Sequence, residues 1–122
     1  MAESIPLHEM VTFSPNKNLP IHRWFYYREG YSKALVEWAL KTYDLEGPIL
    51  DPFCGVGTTL LACKENGFES IGCDVSPLAR FVSETKTRNY NLEKLQSAYA
   101  ELKKTKFDFP HEGKTDSWVA KR

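Results

Sequence analysis

No stretch of this 122-residue chain approaches the roughly 18 apolar residues of a membrane span, so none is expected. The opening residues, MAESIPLHEM, hold no apolar run either, so no signal peptide is expected. Neither charge is in excess. Sixteen basic and sixteen acidic side chains give a formal net charge of zero, a total that neither demands nor excludes nucleic acid, because local patches decide. Cysteine is scarce and odd in number: Cys54, Cys63 and Cys73 stand nine and ten residues apart. That spacing fits neither a disulfide framework nor a zinc site. The thiols read as reduced core filler in a cytoplasmic protein, with no metal bound. Internal repeats and low-complexity segments are also missing.

What is present is enough for a packed core: 42% of residues are apolar and 13% aromatic, in a length that allows one domain at most. Residues 1–30 read as irregular, broken by Pro6, Pro15 and Pro20 and ending in the aromatic run HRWFYY. A helix follows in SKALVEWALKTY, capped by Ser32, with Leu35, Val36, Ala39, Leu40 and Tyr43 on one face. Then strand, helix, strand and helix alternate. PILDPF is a short apolar strand, GTTLLACKEN a helix stopped by Gly67, and FESIGCD a second strand. SPLARFVSETKTRN is a helix capped by Ser76 with Pro77 in its first position. Leu92, Leu95, Tyr99 and Leu102 form an apolar stripe in NLEKLQSAYAELKK, and residues 110–122 make a polar tail. The expected fold is α/β: a partial Rossmann-like sheet of parallel strands with flanking helices over residues 31–109, joined by a right-handed crossover.

Ligands of such sheets sit beyond the carboxyl ends of the strands. Two loops meet there, Asp51 to Thr59 and Asp74 to Pro77. A dinucleotide fingerprint would need a third glycine where Leu60 stands. Asp51 would also repel a pyrophosphate, and there is no Gly-Lys-Ser/Thr phosphate loop. S-adenosylmethionine fits better, since its ammonium suits an acid and its carboxylate suits a helix N-terminus. Gly55 and Gly57 would let the backbone approach it closely, and Asp74 would accept hydrogen bonds from the ribose.

These residues resemble a known family. DPFCGVGTT is similar to the first motif of the amino-group DNA methyltransferases, which methylate adenine N6 or cytosine N4. GCDVSPLA resembles their following acidic motif. FSPNKNLPIHRWFYYREGYS resembles a segment that folds over the methionine part of the cofactor. The resemblance spans about residues 13–90. It implies cofactor contacts at Asp51, Pro52, Phe53, Gly55, Gly57, Thr58, Thr59, Asp74 and Val75, with His22 and Arg23, beside Lys17 and Pro20, as further candidates. It also implies DNA as the substrate of the complete enzyme.

The family's catalytic loop, [D/N/S]-P-P-[Y/F/W], has no counterpart, because the sequence contains no Pro-Pro pair. No catalytic residue is therefore assigned, and a flipped-out base would lack its holder. The expectation is the cofactor-binding part of an enzyme whose catalytic half lies on a partner chain or in a longer reading frame, with self-association as a substitute. A stand-alone S-adenosylmethionine module and part of an RNA methyltransferase are the alternatives. Plainer roles compete residue by residue. Asp51 and Asp74 also suit ordinary strand ends, Thr58 and Thr59 a helix cap, HRWFYY a hydrophobic plug, and Lys103, Lys104 and Lys106 a solvated helix end. His8 and His111 read as solvated, and Cys54 lacks a basic partner that would make it a nucleophile.

Overall fold

A computed structural model describes residues 5–106; the polar tail with His111 lies outside the described residues. The chain divides into two compact units, one up to Arg88 and one from Asn89. No helix among the described residues is long and apolar enough to cross a membrane.

The first unit opens with a short helix, α1 (Leu7–Met10), and two 3-10 turns at Ser14–Asn18 and His22–Trp24. Pro6, Pro15 and Pro20 keep these elements short. The segment is well anchored. Asn16 is fully buried; its Nδ2 donates to the Tyr31 carbonyl at 2.9 Å and its Oδ1 accepts from Lys33 N at 2.8 Å. Ser32 N donates to the Met10 carbonyl at 2.9 Å. One asparagine thus ties the N-terminal segment to the start of α2 (Lys33–Thr42).

Ser32 caps α2 through Leu35 N, as expected. Val36 and Leu40 enter a core with Ala62 and Cys63, against which Tyr31, Ile49 and Phe68 pack. Tyr43 does not join them. It falls at the C-cap, where its exposed ring meets the Trp38 edge with centroids 6.0 Å apart.

The sheet has two parallel strands, β1 (Ile49–Asp51) and β2 (Ser70–Gly72), paired Ile49 to Ser70, Leu50 to Ile71 and Asp51 to Gly72. Cross-strand partners share a face. Ile49 faces the helices, whereas Leu50 and Ile71 are both exposed. One face of the sheet is thus covered and the other is open. Among the described residues no third strand pairs with either edge.

Between the strands runs α3 (Thr58–Glu65), ended at Asn66 with Gly67 in the left-handed region at φ +79°. After β2 comes α4 (Pro77–Thr87), capped by Ser76 and started by Pro77. The architecture is a partial α/β arrangement. The second unit holds α5 (Leu92–Lys104), capped by Asn91 Oδ1, which accepts from Lys94 N at 2.9 Å. By spacing, Leu92, Leu95, Tyr99 and Leu102 share one side of it.

Candidate functional site

The loop from Asp51 to Gly57 leaves the carboxyl end of β1 and turns sharply into α3. Both glycines carry positive φ, +50° at Gly55 and +78° at Gly57. Both also lie tight against the rest of the chain. A Cβ on Gly57 would lie 2.7 Å from the Ser83 Cβ on α4, and one on Gly55 would lie 3.3 Å from the Tyr27 ring. The glycines let the loop close against α4 and against the N-terminal segment.

Two carboxylates hold this loop. Asp51 Oδ1 accepts from Phe53 N at 3.1 Å, and Asp51 Oδ2 accepts from the Tyr31 hydroxyl at 3.0 Å. Asp74 Oδ2 accepts from Gly55 N at 2.9 Å, and its Oδ1 accepts from Ser76 N at 2.8 Å. Asp74 therefore couples the two loops directly. A carboxylate offers about four acceptor positions, so each oxygen of Asp74 keeps one for a further donor.

Tyr31 escaped the sequence reading although it organises the site. Its single proton goes to Asp51, so the Thr59 hydroxyl donates to the Tyr31 oxygen in a short hydrogen bond. Burial, reinforced by the Asp51 charge, pushes the phenol up to about 12, so it stays a donor at neutral pH. The signal for it was positional: Tyr31 immediately precedes the Ser32 cap. Thr58 and Thr59 are buried but do not cap α3; Gly57 occupies the N-cap with no side-chain bond.

At the rim, Phe53 is 86% exposed and Val75 fully exposed. Each follows a strand end on one of the two coupled loops, with Pro52 exposed beside Phe53. Large apolar side chains left open at a polar loop offer a surface to a flat ligand. Burial, with Asp51 nearby, raises the Cys54 thiol above its ordinary range. That disfavours the thiolate, the form a nucleophile needs. Cys63 is buried like Cys54, but Cys73 is exposed and so is not core filler.

His22 sits apart from this loop. It is 1% exposed, and its Nε2 lies 3.3 Å from Glu65 Oε2. Glu65 ends α3, about 10 Å of helix from Thr58 at 1.5 Å per residue. Lys33 Nζ approaches the same carboxylate at 2.8 Å. Burial pushes the Glu65 carboxyl up, but Lys33 and His22 outweigh it and hold it below its ordinary value. Burial in turn lowers His22 despite the Glu65 contact. This pairing pins the N-terminal segment to α3. Arg23, its neighbour, is exposed. No group of three or more metal-ligating side chains occurs among the described residues.

Two cavities flank the outer side of β2. One of about 340 Å³ is lined by Gly72, Cys73 and Asp74 together with Arg80, Ser83 and Glu84 of α4. A second, of about 320 Å³, lies beside Phe68, Glu69 and Ser70, and both share Leu60 and Thr87. The first thus reaches past the carboxyl end of β2 to Asp74, and the second lies along the strand.

Comparison with known proteins identifies a family for the chain. A family model of DNA methylases, the N6- and N4-methyltransferase family, matches residues 13–84. The type II methyltransferase M.BsoBI of Geobacillus stearothermophilus is 42% identical over 98 residues, covering 77% of this chain and 19% of its own length. M.MjaII of Methanocaldococcus jannaschii is 40% identical over 88 residues, 70% of this chain and 17% of its own. M.AvaI of Nostoc is 36% identical over 91 residues, 69% and 19%. The chain thus spans less than a fifth of the length of these relatives. No solved structure matches. The matched stretch runs from Phe13 through Asn16, both loops and their two carboxylates, and with more than half of the chain matched, the chain belongs to the N6/N4 DNA methylase family.

Proposed function

We propose that the chain is the S-adenosylmethionine-binding part of a DNA amino-methyltransferase. The observation that carries this reading is the coupling of the two strand-end loops by Asp74, with spare acceptor positions on both of its oxygens. Ribose hydroxyls are donors that would use them. Phe53 and Val75 would flank the adenine, with Pro52 beside them. Asp51, Gly55, Gly57, Thr58 and Thr59 would shape the cradle for the methionine, and Arg23 would lie at its outer margin. When bound, the cofactor supplies an activated methyl group; this chain's residues hold and orient it. The residues present fit the group, since nothing in the loop opposes a cation and no phosphate is involved.

Calorimetry with S-adenosylmethionine or its demethylated product tests the reading. Losing charge-assisted bonds worth roughly 1.5–3 kcal/mol, Asp74→Ala is expected to weaken binding at least tenfold. Phe53→Ala is expected to weaken it too, while leaving the melting temperature of the free protein unchanged, because that side chain is exposed. Unaltered affinity in both variants would remove these residues from the site. Absence of any binding heat in the wild type would end the proposal.

Methyl transfer needs a base held with its amino group in line, and no Pro-Pro loop here can do that. The catalytic loop would come from a partner chain or from further sequence of the same enzyme. The open sheet supports this reading. Leu50 and Ile71 present an uncovered apolar face, both strand edges are unpaired among the described residues, and two cavities flank β2. Unpaired edges recruit strands, and two strands alone are marginal. The chain by itself is expected to associate at micromolar concentration. Sedimentation velocity checks this; a single 14.0 kDa species with sharp cooperative melting would show the half-sheet to be self-sufficient.

A further inference from the structure

We propose that the outer side of the N-terminal segment, formed by Trp24 and Tyr26 with Lys17, Arg23 and Arg28, is a contact surface for single-stranded DNA. Residues 13–31 contain these three cations and one acid, Glu29. None of the three cations forms an ion pair among the described residues. Burial alternates through the segment. Phe25 and Tyr27 pack against the cluster of Phe13, Val56 and Val82, so Trp24 and Tyr26 face outward, each 57% exposed.

The Tyr26 ring is held in place. Phe13 meets Tyr26 edge-on with centroids 5.4 Å apart, and Lys17 Nζ lies 4.9 Å from the centre of the Tyr26 ring. Trp24 stacks on no other ring among the described residues. Exposed rings interleaved with cations that form no ion pair among the described residues match the two demands of a single strand, stacking for bases and neutralisation for phosphates. The excess of three cations over one acid in residues 13–31 favours a polyanion over a protein partner. The proposal rests on the methyltransferase reading only for the choice of DNA over RNA.

Fluorescence anisotropy of a labelled, unstructured 12-nucleotide DNA strand, titrated with the full chain, is the test. Saturable binding is expected, weakened at least tenfold in Trp24→Ala/Tyr26→Ala. Arg28→Ala should reduce the slope of log affinity against log salt by about 0.7. Circular dichroism confirms folding of each variant, and Trp24→Ala alone, expected to lose several-fold, serves if the double variant unfolds. A matching duplex should bind more weakly, since its bases offer no free faces. Failure of the wild type to bind the strand would overturn the proposal, as would unchanged affinity in the folded ring variants. Calorimetry with the cofactor on the same proteins separates the two readings. Retained cofactor binding with lost DNA binding supports the contact surface. Joint loss in a folded variant would assign the rings to the cofactor site and overturn it. A wild type that binds DNA but no cofactor would sink only the proposed function.

Discussion

Gly57→Ala is expected to cost about 2–5 kcal/mol of stability, a large share of what holds a marginal domain together. Two penalties combine. At φ +78° an L-residue pays roughly 1–2 kcal/mol for the left-handed conformation. The new Cβ would also meet Ser83 Cβ at 2.7 Å and Ser83 Cα at 3.0 Å. Neither atom is the end of a flexible chain, so α3 and α4 must separate, at about 1–3 kcal/mol for such overpacking. Gly67 supplies the control. Its φ is +79°, but nothing lies within 4 Å of the place an added methyl would take, so Gly67→Ala should show the backbone penalty alone. Urea unfolding of the three proteins measures the difference. Equal losses at positions 57 and 67 would mean that the approach of the loop to Ser83 carries no energetic weight. Ser83→Gly added to Gly57→Ala should recover part of the loss, because it removes the nearest atom.

The contrast between those two glycines shows what was legible in the sequence. Local signals read true. Ser32, Ser76 and Pro77 start their helices and Gly67 ends one, because caps and left-handed stops are decided within a few residues. The two strands were visible as short apolar runs. That Gly55 and Gly57 matter was also legible, but not their contacts within the chain, since Tyr27 and Ser83 approach them from 28 and 26 residues away in sequence. Tyr31 and Asn16 were missed for the same reason: each acts on a partner distant in sequence. HRWFYY was neither wholly plug nor wholly surface. Its residues alternate, with His22, Phe25 and Tyr27 turned inward and Trp24 and Tyr26 outward. Only the packed neighbours could decide that.

Lys86 went unnoticed in a helix of polar aspect, and it sets the second large expectation. It is 3% exposed, its Nζ donates to the His22 carbonyl at 3.2 Å, and it lies 6.0 Å from the Phe13 ring. Burial lowers its pKa from 10.5 to about 8. Between those values the unfolded chain binds more protons than the folded one, so stability rises with pH through this window. Below pH 8 the lysine is charged in both states and its desolvation cost is fully present, about 3 kcal/mol for a shift of 10.5 to 8 at 1.36 kcal/mol per unit. Lys86→Met keeps the chain length and removes that cost, but it leaves the His22 carbonyl without its partner, a loss of about 1–3 kcal/mol. The variant is therefore expected to equal or exceed the wild type in stability at pH 7. At pH 10 the wild type should lead, because its stability has risen by about 2–3 kcal/mol through this group alone. Chemical unfolding of both proteins at the two pH values reads the difference, in which the other titrating groups cancel. A gap between variant and wild type that does not move with pH would mean that Lys86 folds with an ordinary ammonium, solvated in the native state.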